Sequence, residues 1–153
     1  MELILWRHAE AEEGPDDLAR ALTPRGRRQA ARMAQWLKAH VPSPWHVLAS
    51  PARRTQETAN ALHLPFVTRD DLQPGSRAAV VLAAAGWPDH EGTVLVIGHQ
   101  PTLGEATALA LTGQEAAWSL RKGAIVWLSS RDREGVAPVQ LRASLGPDLV
   151  SAD

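Results

Sequence analysis

The chain has no cysteine among its 153 residues. Disulfides, thiolate metal sites and cysteine nucleophiles are therefore excluded, although this absence alone does not decide the cellular compartment. The chain also lacks any apolar run that approaches the roughly 18 residues of a membrane span, and its first residues show neither a basic n-region nor an A-x-A-type cleavage site. We expect a cytoplasmic protein without a membrane partner.

A large excess of charge of either sign is absent as well. The 16 lysines and arginines and the 17 aspartates and glutamates give a formal net charge of -1. The arginines are dispersed among acidic residues, apart from local clusters at Arg25, Arg27 and Arg28 and at Arg53 and Arg54. This balance argues against a general polyanion binder, so nucleic acid is not an expected partner. With no linker, repeat or low-complexity segment, residues 1–153 are expected to form a single domain.

Apolar runs and helix-cap signals alternate along the chain, which predicts strands and helices in turn. Strands are expected at about residues 3–6, 47–49, 66–67 and 93–97. Helices are expected at about residues 24–40, from Ser50-Pro51 to about 62, at 77–85, and from 101 to about 111. Residues 124–128 and 136–145 are expected to form a closing antiparallel hairpin. The predicted fold class is α/β, as a three-layer α/β/α sandwich with a mainly parallel central sheet.

Residues that can carry chemistry follow three of the predicted strands. Arg7 and His8 come directly after the first strand, Ser50 to Arg54 follow the second, and His99 follows the strand at residues 93–97. If these strands are parallel neighbours, their carboxyl ends meet at one edge of the sheet, where open α/β sheets place their ligand sites. Considered alone, His8 could be an ordinary loop residue, and Arg54 could be a solvent-exposed side chain with no functional role. Together, two guanidiniums, two imidazoles and the N-termini of the following helices suit a phosphoryl group better than a carboxylate.

Four segments are similar, in order, to the successive motifs of the histidine phosphatase (phosphoglycerate mutase-like) superfamily. They are LILWRHAEAE at residues 3–12, LTPRGRRQA at 22–30, SPARRTQETA at 50–59 and VLVIGHQP at 94–101. The resemblance runs from residue 3 to about residue 130. Within the superfamily the chain resembles the SixA branch, the phosphohistidine phosphatases, and Ala9 favours that branch because the wider superfamily usually has glycine there.

The resemblance implies that His8, Arg7, Arg54 and His99 are the catalytic residues. His8 would be the nucleophile that is phosphorylated on its ring, while Arg7 and Arg54 clamp the phosphate and His99 completes the phosphate-binding pocket. Arg53 falls outside the motif position and is expected on the surface. A neutral imidazole can attack phosphorus through one nitrogen only if the other nitrogen carries the proton and is held by an acceptor. No metal and no cofactor are expected, because two arginines and helix termini can position and stabilise the transferring group.

The expected substrate is a phosphohistidine-bearing protein, such as a signalling phosphotransfer domain. The imidazole of phosphohistidine leaves easily near its own pKa of about 6.5, whereas an alcohol leaving group generally needs a general acid. Asp70 and Asp71 could supply such an acid, which leaves open a broad-specificity small-molecule phosphomonoesterase of the same superfamily. A non-catalytic phosphate-binding module is the other open alternative.

Overall fold

Six strands form one sheet at the centre of the structure, a computed structural model that describes residues 1–131 and 139–150. The strands are β1 Glu2–Arg7, β2 Trp45–Ala49, β3 Val67–Thr68, β4 Thr93–Gly98, β5 Ile125–Ser130 and β6 Val139–Leu145. Their order across the sheet is β3-β2-β4-β1-β5-β6. The first four strands are parallel, and β5 and β6 add antiparallel pairs beside β1. The predicted sheet is confirmed, while residues 132–138, which include the predicted hairpin turn and the start of its second strand, lie outside the described residues.

Four helices cover the two faces of this sheet. They are α1 Pro24–His40, α2 Arg53–Asn60, α3 Ala78–Ala85 and α4 Thr102–Thr112. Successive side chains of a strand point to opposite faces. Ile4 and Trp6 of β1 therefore pack with α1 and α2, whereas Leu3 and Leu5 pack with α3 and α4. The three-layer α/β/α sandwich predicted from the sequence is confirmed.

The start of α1 follows from its cap residues. The Thr23 side chain accepts a hydrogen bond from the Gly26 N–H at 2.9 Å, and Pro24 occupies the first helical position. Gly26 sits so close to the loop after β1 that a Cβ there would lie 2.0 Å from the carbonyl oxygen of Glu10. The first turn of α1 is therefore seated directly on the segment that follows His8.

The second helix begins later than the sequence predicts. Ser50-Pro51 is a typical cap-plus-proline signal, but α2 starts at Arg53 and its N-cap residue is Ala52. The Ser50 hydroxyl does accept from the Ala52 N–H, at 3.3 Å, and it also contacts the ring of His99 at 2.7 Å. The predicted start was wrong because the backbone is still extended at Ala52, with φ -62° and ψ 142°, so that helical geometry begins only at Arg53.

The register of the parallel strands sets the position of the functional side chains. Arg7 of β1 pairs with Gly98 of β4, and Ala49 of β2 pairs with Ile97 of β4. His8, His99 and Ser50 therefore emerge side by side at the carboxyl edge of the sheet. Within the described ranges, none of the helices has both the length and the apolar character needed to cross a bilayer.

Candidate active site

The structure brings together the four residues that the sequence places in one site. The ring centroids of His8 and His99 lie 5.4 Å apart, and both side chains are buried. Arg54, in the first turn of α2, is buried, and Arg7, at the end of β1, is partly buried. Two imidazoles and two guanidiniums thus share the carboxyl edge of the sheet.

The proton on the His8 ring is placed by the backbone. Nδ1 of His8 lies 2.7 Å from the carbonyl oxygen of Ala9. A carbonyl can only accept a hydrogen bond, so Nδ1 carries the proton and Nε2 keeps its lone pair. The N–H of Ala9 donates in turn to the Thr58 hydroxyl at 3.1 Å, which anchors this peptide to α2. The arrangement equips His8 to act as a nucleophile or a base through Nε2.

The proton on the His99 ring follows from its contact with Ser50. Nε2 of His99 lies 2.7 Å from the Ser50 hydroxyl, which already accepts from the Ala52 N–H. We assign the second bond as donation from the Ser50 hydroxyl to Nε2 of His99, because Nε2 is the acceptor in contact with that hydroxyl. With Nε2 accepting, the proton of a neutral His99 ring lies on Nδ1, which can donate to an anion.

Two contacts that the sequence does not signal fix the arginines. Arg54 donates to the backbone oxygen of Asp17 at 2.6 Å and to its carboxylate at 3.1 Å. Arg7 donates to the carbonyl oxygen of Leu120 at 2.8 Å. Asp17 and Leu120 are distant in sequence from the arginines they hold, and neither lies in a recognisable motif. These contacts restrict each guanidinium to one orientation, which reduces the entropy cost of binding an anion.

Three buried side-chain nitrogens at this site have no hydrogen-bond partner among the described residues. They are Nε of Arg7, Nε of Arg54 and Nδ1 of His99. Each is a donor, and a buried donor left unpaired costs about 1–3 kcal/mol. An oxyanion bound at this site could accept charge-assisted hydrogen bonds from such donors.

The two histidines are electrically neutral at physiological pH. The pKa of His8 is lowered from 6.5 to about 4 and that of His99 from 6.5 to about 3, and burial is the largest cause at both rings. The neighbouring His8 ring contributes to the decrease at His99, and the charges of Arg54 and Arg7 contribute to both decreases, while the Ala9 carbonyl acts in the opposite direction on His8. A neutral His8 with a free Nε2 is the protonation state that nucleophilic attack requires.

Lowering the pH is expected to destabilise the folded protein through these two rings. In the folded state His8 stays neutral down to about pH 4 and His99 down to about pH 3. In the unfolded chain each of these histidines takes up a proton near pH 6.5. The unfolded state binds more protons in this window, so stability that is fully present above pH 6.5 is lost as the pH falls toward those values. We expect the free energy of unfolding, measured with urea, to fall between about pH 7 and about pH 5 by about 2 kcal/mol more in wild type than in His99→Gln. Parallel losses in the two proteins would contradict this account of His99.

The two candidate general acids lie on a short 3-10 helix, Asp70–Leu72, that follows β3. Asp71 forms a two-point ion pair with Arg69, at 3.1 Å and 2.7 Å, and Asp70 is exposed. The ion pair engages both oxygens that a general acid would have to present to a substrate. A general-acid role for either residue stays a prediction. In the described part of the chain, no group of three or more histidine, aspartate or glutamate side chains is arranged to hold a metal ion.

The fold and this cluster together define an α/β protein with a candidate oxyanion site at the carboxyl edge of its sheet. A family model of the histidine phosphatase superfamily (branch 1) matches residues 3–75. The chain belongs to the histidine phosphatase superfamily, in its SixA-type branch, and is therefore a phosphatase, a class of hydrolase. The family predicted from the four motifs is confirmed.

The chain is similar to relatives of known sequence and of known structure. Phosphohistidine phosphatase SixA of Escherichia coli K12 is 31% identical over 123 residues, which cover 74% of this chain and 76% of the relative. An uncharacterized protein of Mycobacterium leprae is 35% identical over 115 residues, covering 70% of this chain and 71% of the relative. The solved structure of the protein histidine phosphatase SixA complexed with tungstate superposes with a TM-score of 0.80 at 27% identity, covering 97% of this chain and 98% of that one. The fold is thus the phosphoglycerate mutase-like fold of its SixA neighbours.

Proposed function

We propose that this protein is a phosphohistidine protein phosphatase that works through a phospho-His8 intermediate and needs no metal. The observation that carries the proposal is the set of three unpaired buried donors, on Arg7, Arg54 and His99, beside a His8 ring whose Nε2 is free. A phosphoryl group offers three outer oxygens, one for each donor, and a phosphorus atom for the nucleophile. The related protein histidine phosphatase SixA was solved in complex with tungstate, an oxyanion, which supports an oxyanion as the kind of ligand.

The reaction then has two steps at phosphorus. In the first, Nε2 of His8 forms a bond to phosphorus while the bond from phosphorus to the substrate imidazole breaks, and the departing ring takes up a proton from solvent. In the second, water attacks the phosphoryl group on His8, the P–N bond breaks, and inorganic phosphate leaves as a proton passes to solvent. Arg7, Arg54 and the Nδ1–H of His99 hold the outer oxygens in both steps. The Ala9 carbonyl keeps the His8 proton on Nδ1 while Nε2 reacts.

The surroundings of the site favour phosphohistidine on a protein over a small phosphate ester. An imidazole leaves without a strong general acid, and the carboxylate of Asp71 is engaged by Arg69. Between Asn60 and Thr93, a stretch that the structure describes completely, the chain forms β3, one 3-10 helix and α3 and adds no further element to fold over a bound metabolite. A site of this kind leaves room for the surface of a protein partner.

A direct comparison of substrates tests the proposal. Wild-type protein is incubated in chelator with a phosphohistidine protein, a phosphoserine peptide and a sugar phosphate, and kcat/KM is measured for each. We expect phosphohistidine to react at least about 10-fold faster than either ester, and chelation to leave its rate unchanged. Loss of the rate on chelation would contradict metal independence.

The same comparison separates the two alternatives. A sugar phosphate that reacts faster than phosphohistidine, with that rate lost in Asp71→Asn, would establish the small-molecule phosphomonoesterase. Tight phosphate binding with no turnover of any of the three substrates would establish a non-catalytic phosphate-binding module.

A further inference from the structure

A cavity rich in positive charge opens beside the candidate active site. Its volume is about 580 Å³, and it lies between one face of α1, the loop before β5 and the short 3-10 helix Pro147–Leu149. We call it the cationic pocket. Its cationic lining residues are Arg7, Arg25, Arg28, Arg32, Arg121 and Lys122.

The positive charge of the cationic pocket is only partly neutralised from within. Its lining contains two carboxylates, Glu10 and Asp148, against six cations, a formal charge of +4 on a chain whose net charge is -1. Glu10 lies 3.7 Å from Arg25, and Asp148 lies 3.3 Å from Arg121. Arg28 and Lys122, both exposed, make no ion pair with any residue that the structure describes. The pocket therefore presents a surplus of cationic donors to solvent.

The arginines of α1 form a row that leads towards the active site. Arg25, Arg28 and Arg32 are three and four residues apart and so lie along one side of the helix, over a rise of about 10 Å. The close packing of Gly26 on the Glu10 carbonyl holds the start of this row against the loop that follows His8. Arg7 lines the pocket and also belongs to the candidate phosphate site. An extended anionic ligand could therefore contact the row and Arg7 at once.

We propose that the cationic pocket binds an acidic segment of the substrate protein, with carboxylates next to the phosphohistidine. This inference rests on the proposed function, because it assigns the pocket to the same substrate. Neighbouring turns of a helix, or alternate residues of an extended strand, place carboxylates about 5–7 Å apart, which suits arginines spaced one turn apart. The volume exceeds what a single phosphate needs and falls in the range of about 300–1,000 Å³ that holds larger ligands.

The cationic pocket would act mainly by raising the rate at which an acidic substrate associates with the protein and by orienting the bound substrate. Exposed ion pairs are individually weak, but a concentrated patch of one sign raises the association rate of an oppositely charged partner. Added salt screens these charges, because the Debye length falls from about 8 Å at physiological ionic strength to about 3 Å at 1 M salt. Any preference for an acidic substrate should therefore decrease as salt is added.

Two phosphohistidine peptides test the inference. They share one sequence, except that glutamates flanking the phosphohistidine in the first are glutamines in the second. We expect wild-type kcat/KM to favour the acidic peptide about 10-fold at low salt, and this ratio to fall to about twofold or less near 1 M salt. Arg28→Gln and Lys122→Gln should each lower the ratio about threefold. Lys38→Gln, which removes an exposed cation from the far end of α1 outside the pocket, should keep the wild-type ratio.

Other results would contradict either the inference about the cationic pocket or the proposed function itself. Equal hydrolysis of both peptides by wild type, or a ratio that Arg28→Gln and Lys122→Gln leave unaltered, would overturn this inference and leave the proposed function standing. Failure of wild type to hydrolyse either peptide would overturn the proposed function, and the inference with it. If the two variants instead raised the KM of a sugar bisphosphate and not that of the acidic peptide, the pocket would belong to a small polyanion and the inference would be wrong.

Discussion

Replacing His8 with asparagine is expected to lower kcat for phosphohistidine hydrolysis by at least about 10⁴-fold. The asparagine amide can still donate to the Ala9 carbonyl, as Nδ1 of His8 does, so the loop after β1 keeps its hydrogen bond. Asparagine has no counterpart of Nε2, the atom that we propose attacks phosphorus. The variant thus removes the nucleophile with little change to its surroundings, and single-turnover kinetics measures the loss.

The matched control makes the same substitution at another histidine. His40 ends α1, is exposed, and its Nδ1 also contacts a backbone carbonyl, that of Trp36. His40→Asn is expected to keep kcat within about twofold of wild type. If His8→Asn retained about a tenth or more of the activity while staying folded, His8 could not be the nucleophile.

The second large effect is expected at Arg54. Arg54→Gln should lower kcat/KM by about 10³-fold, because it removes the charge and the unpaired Nε donor that we propose binds the phosphoryl oxygens. Its other contacts go to the backbone oxygen and carboxylate of Asp17, whose side chain is largely exposed and can be solvated when the arginine is absent. The free energy of unfolding should therefore fall far less than catalysis does. Steady-state kinetics and urea unfolding of the same preparation separate the two.

The neighbouring arginine provides a control with the same change of charge. Arg53 precedes Arg54 on α2, but its side chain is exposed and pairs with Glu57 at 3.6 Å. Arg53→Gln is expected to change kcat/KM by no more than about twofold. Similar losses in the two variants would indicate a general effect of positive charge and contradict the specific role of Arg54.

Much of the fold could be predicted because local patterns and long-range packing agree. The run at residues 3–6 and the run at 93–97 are long enough to be recognised as buried strands, and they lie in β1 and β4, which pair in the centre of the sheet. The cap at Thr23 and Pro24 likewise places the start of α1. The contact of the Ser50 side chain with His99, which follows the neighbouring strand β4, could not be predicted from local patterns.

The candidate site was predictable to the extent that its residues follow strands. His8 and His99 each come directly after a recognisable strand, so parallel pairing alone brings them to one edge. Asp17 and Thr58 could not be found this way. They act through contacts with Arg54 and Ala9 that depend on how a loop and a helix pack; Asp17 lies outside the four motifs, and the motif at residues 50–59 that contains Thr58 does not signal its contact with Ala9.

The cationic pocket shows why net charge is a poor guide to local charge. The balanced charge of the whole chain argues against a general polyanion binder, but it does not determine how charged side chains are distributed locally. Arginines from α1, β1 and the loop before β5 are far apart in the sequence, and only the tertiary fold collects them on one wall. The prediction that nucleic acid is not a partner is unaffected, since the inference concerns a short acidic segment.

The central claim is that a phosphoryl group is carried on His8. The most direct test is to mix enzyme with a phosphohistidine substrate labelled at phosphorus, quench within milliseconds in alkali, which preserves phosphohistidine, and locate the label by peptide mass spectrometry. We predict label on His8 in wild type and none in His8→Asn. Rapid release of phosphate with the label absent from His8 at every quench time, or label found on another residue, would contradict the account.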